Sequence, residues 1–206
     1  MSLLFVFDMD DVLYDYDYRV RMDALSRRTG LPFAELRERW WNREGEWRAE
    51  AGAYRDGASY LAAVNAALGS DLDVEEWLAI RRSGMTPWPD SIACVARAAE
   101  LGATSLLTNN GALVDEHLPE LAPELRPWIA DADLRASSRY GARKPDRAVF
   151  AALLASYEAD PAEVFFADDL PENVAGAAAL GITAHRFTDA DALRAAIEEF
   201  ATARRD

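Results

Sequence analysis

Leu3-Leu4-Phe5-Val6-Phe7-Asp8-Met9-Asp10-Asp11-Val12 is the stretch whose reading decides the fold. An unbroken apolar run, rich in aromatic and branched side chains and stopped by acids, is the pattern of a central parallel strand buried on both faces. Asp8 and Asp10 stand two apart at its end, so period-two alternation can direct both carboxylates into one crevice. Two such groups repel unless a cation or a shared proton relieves them. The plainer alternative is a pair of loop acids that cap a turn.

Working outward, three later segments share the apolar character: Thr104-Ser105-Leu106-Leu107, Val164-Phe165-Phe166-Ala167 and the shorter Ile182-Thr183-Ala184-His185. Helical patterns separate them, over about 90–101, 146–157, 171–180 and 190–202, with Gly102 and Gly181 as helix stops. Strands alternating with helices predict βαβ units, hence an α/β fold with a parallel sheet covered on both faces. One stretch breaks the alternation. From about residue 18 to 82 only helical periodicity is legible, punctuated by Gly30-Leu31-Pro32, Gly52, Gly57 and Gly69-Ser70-Asp71. It predicts an insertion of about four helices, with Pro87-Trp88-Pro89 marking the return to the sheet. The expected division is 1–17 and 86–206 as the catalytic core and 18–85 as an all-helical cap. An insertion directly after the first strand passes over the carboxyl edge of the sheet, where ligands bind in this architecture.

Charge narrows the function further. Lys plus Arg total 22 against 36 Asp plus Glu, a net charge of −14, which disfavours nucleic-acid backbones and anionic membrane surfaces as partners. No segment approaches the roughly 20 apolar residues that span a bilayer, and the first residues carry no basic leader, so a cytoplasmic location is expected. Cys94 is the only cysteine and reads as a small buried apolar residue, with no internal disulfide possible. His117 and His185 have no ligand spacing.

Three further features join the first acid pair. Leu106-Leu107-Thr108-Asn109-Asn110 places a hydroxyl and a turn at a strand end, where backbone amides and a following helix start can hold phosphate oxygens; a simple helix cap would use the same residues. Arg143-Lys144-Pro145-Asp146 puts a lysine ahead of a helix whose first position tolerates proline, though alone it reads equally as a surface charge. Phe165-Phe166-Ala167-Asp168-Asp169 ends another buried strand in paired acids, a spacing suited to Mg²⁺, which takes a few hard oxygens and keeps waters.

Acid pair, Thr, Lys and second acid pair, in that order, resemble the four motifs of the haloacid dehalogenase-like superfamily, from Phe5 to about Phe187. The stretches Gly141 to Asp146 and Asp168 to Val174 look like the subgroup with a helical cap and a DD-type fourth motif. The resemblance implies a Rossmann-like doubly wound core, Mg²⁺, and hydrolysis of a small organic phosphomonoester. Under it, Asp8 is the nucleophile that forms an aspartyl-phosphate, and Asp10 is the acid and base, its backbone carbonyl also a metal ligand. Thr108, with Asn109 and nearby amides, binds the phosphoryl oxygens, while Lys144 offsets charge on nucleophile and phosphate. Asp168 ligates the metal and Asp169 ligates it or orients its waters. Asn173 reads as support for that loop, and Leu170 stands where relatives often have a small polar residue.

Asp10 argues against dehalogenation, because the dehalogenases of the family lack the second aspartate. A phosphosugar mutase, whose relatives usually have Gly at the position of Asp11, and a catalytically quiet metabolite-binding module stand as alternatives. Specificity is expected in the cap and in the loop Leu13 to Tyr18. Trp40, Trp41 and Trp47, with Arg43 and Arg48, fit either substrate stacking or cap core, the latter being the commoner use of aromatics on a helix. The partner expected is a small phosphate ester; monomer and dimer are both open.

Overall fold

The structure, a computed structural model, describes residues 3–204; the last residues at each end of the expected core, 1–2 and 205–206, lie outside them. Its centre is β1, Leu4–Phe7, all four residues of which are buried. Parallel strands β4 (Ala103–Leu106) and β5 (Val164–Asp168) pair on either side of it, and β6 (Thr183–Arg186) extends the sheet beyond β5. The resulting order is β4-β1-β5-β6, with Phe7 level with Leu106 on one side and Ala167 on the other. That register brings the residues just past three strands to one edge of the sheet.

Both faces of β1 are covered, as its unbroken apolar run requires. Phe5 and Phe7 pack into one core with Cys94 and Val95 of α6 (Pro89–Ala99) and Leu193, Ile197 and Phe200 of α10 (Ala190–Thr202). Leu4 and Val6 turn to the opposite core, with Phe150 and Leu153 of α8 (Arg147–Tyr157) and Ala177 of α9 (Pro171–Ala178). Alternate residues of one strand thus supply two layers, which is the parallel α/β arrangement expected.

Between β2 (Tyr14–Tyr16) and β3 (Met85–Pro87), which pair antiparallel, the chain makes five helices. These are α1 (Tyr18–Thr29), α2 (Phe33–Arg39), α3 (Glu46–Glu50), α4 (Gly57–Leu68) and α5 (Val74–Ser83). Their ends are set by local chemistry. Asp56 and Asp73 each open a helix with a reciprocal capping box, and Gly30 and Gly69 close two of them in the left-handed region at φ +73° and +66°. The stretch after Leu13 is therefore a strand of the hairpin and not the loop the sequence suggests. Asp11, at φ +57°, turns the chain from the end of β1 into it.

Three further features depart from the sequence reading or add to it. Residues 112–121 form α7 (Ala112–Leu121), which carries Pro119 in its final turn. Pro145 is not the first helical residue of α8: Asp146 caps that helix by accepting the Ala148 amide at 2.8 Å, and Pro145 precedes the cap. Gly102 has an ordinary negative φ and serves close packing instead of a left-handed stop, since an added Cβ would lie 2.3 Å from the Leu3 carbonyl oxygen. Gly102→Ala is expected to lower stability by about 1–3 kcal/mol through this overlap at the β1–β4 edge. Urea unfolding of the two proteins measures the difference.

Candidate active site

The carboxyl edge of the sheet gathers the acids. Asp8 follows β1, and its amide donates to the Ala167 carbonyl at 2.9 Å, which locks it beside β5. Asp168 ends β5 and is wholly buried. Between the two stands Lys144, itself 1% exposed, with Nζ 2.8 Å from Asp8 Oδ1 and 2.7 Å from Asp168 Oδ2. A buried ammonium between two buried carboxylates is tolerable because each ion meets an opposite charge and further hydrogen bonds. Asp168 also accepts from Asn173 Nδ2 at 2.9 and 3.1 Å and from the Leu170 amide at 2.9 Å, and Asp8 Oδ1 also accepts the Met9 amide at 2.8 Å.

Electrostatics follow from this packing. Burial pushes the Asp8 carboxyl well above the ordinary range; Lys144 opposes that shift and the charge of Asp168 adds to it. Burial by itself would lower Lys144, yet the flanking carboxylates hold the ammonium above its usual value. Asp169, half-buried beside Asp168, is raised to about 6, first by burial and then by its neighbour's charge. One carboxylate oxygen from each of Asp8, Asp168 and Asp169 falls within 4.8 Å of the other two. Hard oxygen donors, few in number and carrying excess negative charge, fit a small divalent cation that retains waters.

Thr108 is brought to the same edge, 1% exposed, its Oγ1 accepting from Asn110 Nδ2 at 2.8 Å. Among the described residues, neither the Asn109 nor the Asn110 amide meets an acceptor, so both remain available to an incoming anion. The Asn109 side chain is committed elsewhere: Nδ2 donates to the Lys144 carbonyl at 3.0 Å and Oδ1 accepts the Lys144 amide at 2.9 Å. The side chain thus holds the lysine loop in place.

Asp10 stands apart from the carboxylate cluster. Its two oxygens both lie on Arg81 Nη2, at 2.7 and 2.6 Å, and Arg81 comes from α5 in the helical insertion. Sequence reading missed Arg81, which carries no signal in a helix as charged as Val74-Glu75-Glu76-Trp77-Leu78-Ala79-Ile80-Arg81-Arg82. Asn110 was quoted only as part of a turn. The aromatic cluster divides: Trp40 is buried and donates to Glu46 at 2.6 Å, whereas Trp47 is 43% exposed, between the Arg43 and Arg143 guanidiniums at 5.4 and 4.9 Å. Insertion and core also meet where Arg143 bonds Glu50 at 2.5 Å, one residue before Lys144.

A parallel α/β sheet with a buried carboxylate, lysine and carboxylate at its carboxyl edge defines a class of carboxylate-centred hydrolase. A sequence profile of that class, the haloacid dehalogenase-like hydrolases, matches residues 3–181, and the chain belongs to this family. Among solved structures, the fold is similar to a HAD family enzyme from Bacteroides thetaiotaomicron in complex with magnesium and inorganic phosphate. That match has a TM-score of 0.74 and 18% identity, over 91% of this chain and 95% of the other. A HAD-like family hydrolase from Porphyromonas gingivalis matches at TM-score 0.73 and 20% identity, over 90% and 91%. An L-2-haloacid dehalogenase from Xanthobacter autotrophicus matches at 0.61 and 23%, over 90% and 77%. Among the described residues no helix is long and apolar enough to cross a membrane.

Lys144→Met leaves two buried carboxylates without a counter-charge and is expected to cost about 3–5 kcal/mol. Protonation relieves the repulsion, so the loss should be larger at neutral pH than in mild acid. Denaturant unfolding of variant and parent across that range checks both the size and the direction.

Proposed function

We propose that this hydrolase is a Mg²⁺-dependent phosphatase of small phosphomonoesters, acting through an aspartyl-phosphate on Asp8, with residues 18–85 as the helical cap. The observation that carries this reading is the joint presence of a cation-ready triad of Asp8, Asp168 and Asp169 and a second acid, Asp10, two residues past the nucleophile. A dehalogenase has no protonated leaving group and no use for Asp10.

Asp8 attacks phosphorus in line and expels the alcohol, forming an acyl phosphate on its carboxylate. Lys144, charged and 2.8 Å from Asp8, offsets the negative charge that nucleophile and phosphoryl group bring together. Thr108 and the free amides of Asn109 and Asn110 receive the nonbridging oxygens. Asp10 protonates the departing oxygen and then takes a proton from the water that hydrolyses the intermediate. It lies on Arg81 in this structure, so the step requires Asp10 to turn toward the substrate. Mg²⁺, held by Asp8, Asp168, Asp169 and the Asp10 carbonyl, would supply charge neutralisation for an anion entering a site rich in carboxylates. Asn173 and the Leu170 amide fix Asp168 for that purpose.

With Mg²⁺ the protein is expected to release phosphate from p-nitrophenyl phosphate, Asp8→Asn to fall to background, and Asp10→Asn to lose roughly 10²- to 10⁴-fold in kcat. Undiminished turnover by Asp8→Asn, or in excess chelator, would contradict the reading. A pH effect also follows. Asp169 must lose its proton to ligate, and its carboxyl is raised to about 6. The rise in Tm caused by Mg²⁺ should therefore be small below that pH and grow as pH increases through it, as calorimetry at several pH values would measure.

A further inference from the structure

The helical insertion contains an excess of buried hydrogen-bond donors next to Asp10. Arg81 is 0% exposed and Arg21 of α1 is 4% exposed, so both guanidiniums lie out of water. Arg81 spends Nη2 on Asp10, and its Nε and Nη1 are buried without a partner. Arg21 gives Nη1 to Tyr16 Oη at 3.0 Å, and its Nε and Nη2 are likewise buried without a partner. The two arginines are joined through Tyr16, whose ring lies 3.9 Å beneath the Arg81 guanidinium. Arg21 in turn lies over Trp77 at 4.9 Å and Trp41 at 5.5 Å, and the indole N–H of each is also buried and unpartnered.

These are six buried N–H donor atoms on four residues, none of which has a hydrogen-bond partner. The buried carboxylate of Glu46 is engaged through Oε2, which accepts from Trp40 Nε1 at 2.6 Å and Tyr60 Oη at 2.8 Å. Cation–π contact lessens the charge of Arg21 but leaves its in-plane N–H groups unsatisfied. A buried donor left without a partner is costly, because it loses its hydrogen bonds to water and gains none in return. A chain that keeps six of them beside its acid/base residue has a site for acceptors, and the acceptors must be anionic because two of the donors' owners are cations.

We infer that the cap selects phosphomonoesters whose leaving group carries a second anion, a carboxylate or another phosphate, received by Arg21 and Arg81 with the indole N–H groups of Trp41 and Trp77. This deepens the phosphatase reading and rests on it. The leaving-group oxygen meets Asp10, and Arg81 holds Asp10, so an anion on the leaving group reaches Arg81 within the span of a short molecule. It also competes with Asp10 for that guanidinium, which ties recognition of the second anion to release of the acid.

The test is kcat/KM with Mg²⁺ for matched esters differing in one group: phosphoglycolate, ethyl phosphate and ethylene glycol bisphosphate, then the larger set 4-carboxyphenyl, 4-methylphenyl and p-nitrophenyl phosphate. A preference of roughly 10²-fold or more for an anionic member over its neutral match is expected, since a site built for a polar group strongly rejects the analogue that lacks it. Whether carboxylate or phosphate leads identifies the source of the anion. Arg21→Met should reduce that preference ratio at least tenfold. Trp41→Phe, which keeps an aromatic ring but lacks the indole N–H, should reduce it by a smaller factor and covers the case in which the arginine variant fails to fold. Hydrolysis of p-nitrophenyl phosphate with equal kcat/KM across the matched esters overturns this inference and leaves the phosphatase reading standing. No hydrolysis of any ester overturns both.

Discussion

A lysine ammonium buried between two buried carboxylates is the constraint on which the rest of the structure depends. Lys144 cannot leave Asp8 or Asp168 without stranding an ion away from water, and the ions belong to three separate parts of the chain. Strand β1 carries one, β5 another, and the loop before α8 the third. The sheet register makes their meeting possible, because Phe7 and Ala167 lie level and the acids that follow emerge at one edge. Side chains further out then fix the three in place: Asn109 clasps the Lys144 main chain through two hydrogen bonds, and Asn173 clasps Asp168.

The same arrangement is unfinished in charge. Asp169 adds a third carboxylate close enough to share a ligand with the other two, and burial, followed by the charge of Asp168, raises its proton affinity. Under the proposed function a hard divalent ion would balance this charge and let an anion enter. Asp10 is kept out of the cluster by an arginine from the helical insertion. Charge neutralisation thus belongs to the sheet edge, while the handling of the second acid is shared with the helices above it.

Much of this was legible in the order of residues, and the parts that were not have identifiable causes. Strand β1 announced itself because burial on both faces allows no polar residue from Leu4 to Phe7, and the acids beyond it mark where that burial ends. Asp168, Lys144 and Thr108 were legible only together, since each alone has an ordinary structural use. Strands β2 and β3 were not, because three residues in a hairpin give too short an alternation to stand out from a loop. Helix α7 was hidden by Pro119, which sits in the last turn, where the chain tolerates it. The hold of the Asn109 side chain on the Lys144 main chain was not legible, because a partner across 35 positions leaves no trace in spacing. Arg81 and Arg21 look like solvated charges on amphipathic helices; only the fold shows that both are buried.

The account centres on Asp8 as the group that receives phosphorus. The most direct measurement is rapid acid quench during turnover of p-nitrophenyl phosphate with Mg²⁺, followed by mass mapping of the phosphorylated peptide. The account predicts a transient acyl phosphate on the peptide that contains Asp8, absent when Mg²⁺ is withheld. Turnover that proceeds with no protein-bound phosphoryl group, or with the group on another residue, would contradict it.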